Sequence, residues 1–468
     1  MGERNYKLGL GAQINYGIGT IGVTLSYGVA YSKASFYLLT VLGLSKKFLA
    51  PMFFLARIWD GFNDLIMGTL IDNTRSKLGK FRPWIMAGAV SNALVAVGLL
   101  WKPPGVSGVW LYIYITLMYL LWDATYTMID VGYYAMIPAL SLHQKERDQV
   151  AMVPRIFAGA IGAVNAFSLQ LMEALGGLEQ PNTGFFRYAL LTSALYLVTS
   201  LYSAATVKER VLPVREEKER FSFKQALRIL FGNDQALVVV GVMLLFNLAN
   251  NLTNGAAIYY FLYKVGSADQ YSFFTIILGG ALAVGLLGFP LFTKWFGRDR
   301  VYKSSMIMPC IGYLLMALAD RAAPGKSVPF IAAGLVMSVG FGSMSVMQNV
   351  MLADAVDYGE YKTGTRNEGI IFSMLTLLGK LAGAFSELIT MFVFGLVKFG
   401  GEDAAVATPQ AVSSFKFLMF VLPPFVLLAA LMLYLRRFKL KPETMRTVTA
   451  ELHQRREINA EEEAEWQS

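Results

Sequence analysis

The stretch 56-ARIWDGFNDLIMG-68 decides how this chain is read. It lies inside an apolar run, about residues 47–72, long enough to cross a bilayer. Yet it carries Arg57, Asp60, Asn63 and Asp64. A carboxylate at the membrane centre costs about 2.5–3.5 kcal/mol even on lenient insertion scales. Asp60 and Asp64 are spaced i, i+4 and share one helix face, with Arg57 and Asn63 beside them and Trp59, Phe62, Leu65 and Ile66 around the rest. Two adjacent carboxylates repel unless a cation sits between them or one takes up a proton. Three readings use these residues. One is an oxygen-rich site for a hard cation such as Na⁺. Another is a shared proton. The third is an Arg57–Asp60 ion pair that holds helices together, a poor route to stability when buried.

The composition around this stretch is that of a polytopic membrane protein. Of 468 residues, 55% are hydrophobic and only 16% are charged. The formal charge of +9 then reads as a topology signal rather than a nucleic-acid footprint. The single cysteine, Cys310, lies in an apolar run and permits no intramolecular disulfide. Twelve stretches have spanning length and apolarity, at about 14–42, 47–72, 82–101, 109–137, 150–174, 186–206, 236–265, 271–293, 303–319, 328–357, 368–398 and 413–437. Lys and Arg concentrate after every second stretch, as in "NTRSKLGKFRPW", "KERVLPVREEKERFSFKQALR" and "TKWFGRDRVYK". By the positive-inside rule both termini are cytoplasmic. The basic connection 207–235 divides the helices six and six, and the turns after helices two and eight echo each other. The expected fold is therefore an all-α membrane protein of twelve transmembrane helices in two six-helix bundles, the major facilitator architecture. The expected divisions are a first bundle at 1–206, a cytoplasmic middle loop at 207–235, a second bundle at 236–437 and a cytoplasmic tail at 438–468.

Further polar residues sit at membrane depth. In helix four, "DATYTMIDVGYY" places Asp123, Thr127 and Asp130 at i, i+4, i+7 on one face. Thr127 offers a neutral oxygen and Asp130 a carboxylate. Tyr126, Tyr133 and Tyr134 add aromatic surface with polar tips, suited to stacking on a sugar ring or to a place in an interfacial belt. Arg155 can pair with Asp130, bond sugar hydroxyls, or snorkel to the cytoplasmic surface. Lys380, in mid-helix eleven, is functional or paired with Glu387 at i+7. Lys33 is a third interior cation. The asparagines of "FNLANNLTNGAAIYY" bond substrate, break helix seven, or hydrogen-bond between helices. Arg57, Asp357, Glu360 and Arg366 form an expected gating charge network with the basic loops. His143 and His453 lie in separate cytoplasmic segments, and neither a phosphate-binding loop nor a nucleophile motif occurs. The expectation is a transporter rather than an enzyme, with no cofactor beyond a coupling ion.

Four stretches carry a family likeness: "YGIGTIG" in helix one, "ARIWDGFNDLIMGTLIDNTRSKLGKFRPW" across helix two, "YTMIDVGYYAMIPAL" in helix four, and "MLADAVDYGEYKTGTRNEGIIFSMLTLLGK" from helix ten into eleven. In these the sequence resembles the glycoside–pentoside–hexuronide:cation symporters, the melibiose permease-like branch of the major facilitator superfamily. The resemblance implies Na⁺-, Li⁺- or H⁺-coupled uptake of a sugar, glycoside or hexuronide across the bacterial cytoplasmic membrane by a monomer. It implies a cation site on Asp60, Asn63, Asp64 and Thr127. The implied sugar site includes Asp130, Tyr134 and Arg155, with Lys380 near both; Thr24 and Tyr126 complete the candidate sugar-binding residues. Thr24 stands where the family's melibiose permease has an aspartate important for galactosides, which argues against simple transfer of that specificity. Two other classes stay open at this point: a cation-coupled carrier of an amphiphilic lipid such as a lysolipid, and a membrane sugar sensor that does not transport.

Overall fold

The computed structural model describes residues 9–28, 33–140, 144–176, 181–209, 228, 230–323, 327–364, 368–399, 407–441, 443–452 and 454. Helices account for nearly all of them. They are α1 (Leu10–Tyr27), α2 (Lys46–Asp72), α3 (Arg82–Leu99), α4 (Val109–Ala135), α5 (Gln144–Ala166), α6 (Ser168–Gly176), α7 (Pro181–Thr206), α8 (Asp234–Tyr259), α9 (Ala268–Phe296), α10 (Arg298–Ala322), α11 (Ser327–Thr363), α12 (Glu368–Leu396), α13 (Pro409–Lys416) and α14 (Leu422–Arg437). Single π turns follow α8 (Tyr260–Val265) and join α13 to α14 (Phe417–Val421). Among the described residues, eight helices are long and apolar enough to cross a membrane. A bent pair, Met152–Ala166 with Ser168–Gly176 at 49°, makes up to nine. The helices α2 and α4, 27 residues each, are also long enough to span, but they carry the charged residues of interest.

Two expected spans depart from plain α-helix among the described residues. The first, 14–42, is described as α-helix over Leu10–Tyr27 and Ala34–Phe36, the latter running into a π turn at Tyr37–Val41; residues 29–32 lie outside the described residues. The fifth, 150–174, breaks at Phe167, whose N–H closes a tight turn on the Val164 carbonyl at 3.0 Å. The carbonyl at the break, Ala166 O, accepts from the Ser272 hydroxyl, so the bend leaves no orphan acceptor there. Conversely, helix seven is not broken by its asparagines. Asn247 Nδ2 donates to the Met243 carbonyl at 2.9 Å and to Gln348 Oε1 at 3.4 Å, an interhelical packing role. The tail is helical over 443–452, with Met445, Val448 and Leu452 buried at helical spacing.

The chain forms two compact units. The first comprises Met1–Glu217, Ser267–Ile276 and Met391–Ala411; the second comprises Lys218–Gly266, Ile277–Thr390 and Val412–Ser468. In the first, α1 packs on α7 and α5, α3 on α4 and α7, and α2 on α4. Small residues make the α1 contacts close. A Cβ at Gly19 would stand 2.7 Å from both Ser203 Oγ and the Tyr133 ring, and one at Gly22 would stand 2.3 Å from Ser200 Oγ. In the second unit α9 and α11 cross backbone to backbone, where a Cβ at Gly342 would meet the Leu282 carbonyl at 1.9 Å.

The basic turn after α2 is held by two complementary caps. Glu209 accepts from the N–H groups of Lys80, Phe81 and Arg82 at 2.8, 2.9 and 3.1 Å, filling the exposed donors at the start of α3. Arg82 in turn donates to the carbonyls of Ala204 and Ala205 at 2.5 and 3.1 Å, at the end of α7. Arg82 thus serves helix termini inside one unit.

Candidate functional site

The α2 helix is turned inside out. Leu55, Trp59, Phe62, Ile66 and Leu70 are exposed, as lipid-facing residues should be, while Arg57, Asp60 and Asn63 are 7%, 6% and 4% exposed. The polar stripe expected from the spacing is therefore the buried stripe. Asp64, one turn beyond Asp60, is half-buried. Arg57 lies beside Asp60 at 3.7 Å, close for a charge interaction but long for a hydrogen bond. Asn63 Nδ2 is buried with no hydrogen-bond partner among the described residues. Nitrogen and oxygen of such an amide exchange places by a flip, so Asn63 can turn either a donor or an acceptor into this space.

Packed against α2 is α4, with Asp123 3% and Thr127 1% exposed. The Thr127 hydroxyl donates to the Asp123 carbonyl at 3.0 Å, which leaves its lone pairs free to accept or ligate. A polar network fixes the preceding turn. Asn92, fully buried in α3, donates to the Trp122 carbonyl and the Thr125 hydroxyl at 2.9 Å each. It accepts from Ser26 at 2.5 Å, and Trp122 Nε1 donates to Ser26 Oγ at 3.2 Å. A fully connected buried network of this kind holds its members in one arrangement. Sequence reading passed over Ser26, Asn92 and Trp122, because the partners come from three different helices.

No group of three His, Cys, Asp or Glu side chains capable of holding a metal occurs among the described residues. The set Asp60, Asn63, Asp64 and Thr127 has a different make-up: two carboxylates, one amide and one hydroxyl, all oxygen donors. That chemistry suits a hard monovalent cation rather than a transition metal.

One to two turns further along α4 is an aromatic cluster around Asp130, which is half-buried. Tyr126 donates to Asp130 Oδ1 at 3.3 Å and stacks on Trp122, ring centres 5.1 Å apart. Tyr27 of α1 lies 6.0 Å from Tyr126. Tyr134 is 44% exposed and meets Tyr133 edge to face at 5.4 Å. Asp130 and Arg155 both lie within electrostatic reach of the Tyr134 hydroxyl, and the Arg155 side chain is exposed. The structure thus brings Tyr126, Asp130, Tyr134 and Arg155 together. Tyr133, by contrast, is 1% exposed and faces α1 rather than the cluster surface. Thr24 is half-buried on α1, where its carbonyl accepts from Asn165 of α5 at 3.3 Å. Lys33 is 3% exposed, its ammonium 5.3 Å from the Tyr271 ring centre.

Lys380 and Glu387 are half-buried in α12 and belong to the second unit, as do Asp357 and Glu360 on α11. Arg366 lies outside the described residues. Arg57, expected in the gating charge network and also as a possible partner of Asp60, lies 3.7 Å from Asp60. The second unit has charge pairs that sequence reading did not single out. Arg298 pairs with Asp354 and donates to Tyr302 at 2.5 Å. Lys362 and Lys439 flank Asp234 at 3.3 and 3.6 Å. Lys416 meets Asp320 at 2.6 Å, and Tyr260 donates to the other oxygen of Asp320 at 2.7 Å.

A helical protein with at least eight apolar spans and carboxylates buried mid-helix is built as a transporter, and comparison with known proteins agrees. The model of the MFS/sugar transport protein family matches residues 15–442, so the chain belongs to that family, within the glycoside–pentoside–hexuronide symporters of the major facilitator superfamily. It is an integral multi-pass membrane protein. It is 29% identical over 399 residues to a lactose permease of Lactobacillus delbrueckii subsp. bulgaricus; the match covers 83% of this chain and 62% of that permease. It is 27% identical to an isoprimeverose transporter of Lactiplantibacillus pentosus, over 92% of this chain and 90% of the relative. Among solved structures, a D-xylose-proton symporter superposes with a TM-score of 0.60 at 15% identity, covering 92% of this chain and 98% of that one. That likeness speaks to the fold alone.

Proposed function

We propose that this protein is a secondary active symporter that couples inward movement of Na⁺, or of Li⁺ or H⁺, to uptake of a sugar, glycoside or hexuronide. The observation that carries the reading is the inverted α2 helix, with Asp60 and Asn63 buried against protein while its apolar residues face out. Burying that much charge is unfavourable for stability alone and is reasonable where an ion must bind. In this reading Asp60, Asn63, Asp64 and Thr127 hold the cation, and Arg57 balances the carboxylates when the cation is absent. Tyr126, Asp130, Tyr134 and Arg155 take the sugar, and Lys380 is a further candidate sugar-binding residue. The chain crosses the membrane twelve times with both termini cytoplasmic and works by alternating access.

Coupling follows from charge. A cation neutralises the α2 carboxylates and lowers the cost of carrying them through an occluded state. Sugar binding one to two turns away on α4 is favoured in the same arrangement. Each ligand must then raise the affinity of the other by the same factor. The relatives named for sugars favour this substrate class over a lysolipid and over a sensor.

The test uses purified protein in liposomes with lactose, isoprimeverose and methyl β-D-glucuronide. An imposed Na⁺, Li⁺ or H⁺ gradient should drive accumulation of at least one sugar above the outside concentration, and a cation-conducting ionophore should collapse it. Equilibration without accumulation under every gradient would rule out symport, and absence of counterflow would favour a sensor.

A further inference from the structure

We propose that the segment Tyr16–Thr20 of α1, the first half of the "YGIGTIG" motif, is a positioning element of the sugar site that fixes the last turn of α4. The inference rests on the reading above, in which Asp130 and Tyr134 bind sugar.

The geometry is reciprocal. The Tyr16 hydroxyl donates to the Tyr133 carbonyl at 2.7 Å, and the Tyr133 hydroxyl donates to the Tyr16 carbonyl. Their rings stack face to face, with centres 4.3 Å apart and planes 3° from parallel. The Tyr133 oxygen also lies 2.8 Å from Thr20 Oγ. Tyr133 has one hydroxyl proton, and the Tyr16 carbonyl takes it, so Thr20 must be the donor to Tyr133. Both tyrosines are essentially inaccessible, at 0% and 1% exposed, so these bonds face no competition from water.

The acceptor's place in its helix gives the arrangement a purpose. α4 ends at Ala135, and the Tyr133 carbonyl in its last turn accepts from the Met136 N–H at 3.3 Å as well as from the Tyr16 hydroxyl. Tyr16 thus adds a second donor from another helix. This turn runs from Asp130 to Tyr134, the two α4 groups assigned to sugar, and both lie within electrostatic reach of the Tyr16 hydroxyl. A helix terminus frays readily when its end groups are unsatisfied. Here it is pinned by two hydroxyl-to-carbonyl bonds, a ring stack and a threonine donor. Gly19 is required for the fit, because a Cβ there would stand 2.7 Å from the Tyr133 ring. The spacing Tyr-x-x-Gly-Thr therefore supplies both donors and the clearance from one helix face. Tyr16, Thr20 and Tyr133 need not touch the sugar to act on its affinity, since displacement of a binding group by about 1 Å can cost up to 10²-fold.

The experiment measures uptake of lactose, isoprimeverose and methyl β-D-glucuronide in liposomes, recording sugar KM, Vmax and the cation activation constant. The variants are Tyr133→Phe, Thr20→Val and Thr20→Ser. Tyr133→Phe keeps the stack and removes the hydroxyl; Thr20→Ser keeps the donor that Thr20→Val removes. Tyr196→Phe is the control, because Tyr196 is equally buried but its hydroxyl has no partner among the described residues. The expected result is a sugar KM raised about tenfold in Tyr133→Phe and Thr20→Val. It should be restored in Thr20→Ser and unchanged in Tyr196→Phe, with the cation constant unchanged throughout. Unchanged KM, a fall in Vmax alone, or Thr20→Ser behaving like Thr20→Val overturns the proposal. If Tyr133→Phe does not reach the membrane, the Thr20 pair decides. Tyr134→Ala separates the two levels. If it raises KM while the Thr20 and Tyr133 variants do not, only the positioning role fails. If it leaves KM unchanged, or if none of the three sugars binds the parent protein, the sugar-site reading fails and takes this proposal with it.

Discussion

The two compact units differ in how completely their buried polar groups are satisfied among the described residues. In the second unit Asp320 is met by Lys416 at 2.6 Å and by the Tyr260 hydroxyl at 2.7 Å, so both its oxygens are served at hydrogen-bond distance. It also sits near the end of α10, where a fixed partner from a neighbouring helix is easily supplied. In the first unit Asp60 lies mid-helix with Arg57 at 3.7 Å, and the amide nitrogen of Asn63 nearby is unused among the described residues. A charge pair held at contact distance on every oxygen is structural, and adding an ion there would break bonds. The buried Asn63 amide nitrogen, by contrast, has no bond among the described residues to lose when an ion approaches. In the proposed function the α2 groups serve an ion, whereas Asp320 holds helices together.

That contrast can be broken by substitution. The largest effect should come from α2. Asp64→Cys should reduce cation-driven uptake by roughly 10² or more while leaving measurable sugar binding, because in the proposed function it deletes a ligand required for coupling. If Na⁺ or Li⁺ still raises sugar affinity in that variant, α2 does not hold the cation. Asp320→Ala is the mirror experiment. It removes the shared acceptor of the half-buried Lys416 ammonium and the buried Tyr260 hydroxyl and should lower the thermal midpoint, with the cation constant unmoved. A loss of cation dependence there instead would erase the distinction between the units.

Asp130→Asn tests the division of labour within the first unit. It keeps size and hydrogen bonding but removes charge, so sugar affinity should fall about tenfold or more while cation affinity changes little. Equal losses in both would merge the two sites. The smallest effect is expected at Glu209→Ala, which uncaps α3 and should cost about 1–2 kcal/mol of stability with transport constants unchanged. A large transport defect at normal stability would make the basic turn part of the gate rather than a helix cap.

Much of this was legible in the chain. The i, i+4 spacing of Asp60 and Asp64 among large apolar residues predicted which face of α2 turns inward, because 3.6-residue periodicity leaves only one arrangement that keeps charge out of lipid. The clustering of Tyr126, Asp130 and Tyr134 followed from the same rule on α4. The break at Phe167 was not legible. Its stability depends on Ser272, more than a hundred residues away, donating to the carbonyl that the bend exposes. Nor could spacing reveal that Arg82 and Glu209 exchange helix caps, since a basic loop residue reads equally well as a topology signal.

What the sequence determined by itself was the solvent each residue must face. Composition and periodicity dictate that this is a helical membrane protein and that its polar stripes point inward, because hydrocarbon penalises charge wherever the helix stands. Only the tertiary structure decided which inward polar groups are satisfied by partners from other helices. Tyr16 and Tyr133 are 117 positions apart and look in the sequence like two unremarkable aromatics. In the fold they close a reciprocal pair around the end of α4, because a hydrogen bond depends on distances and angles between elements that no local pattern encodes.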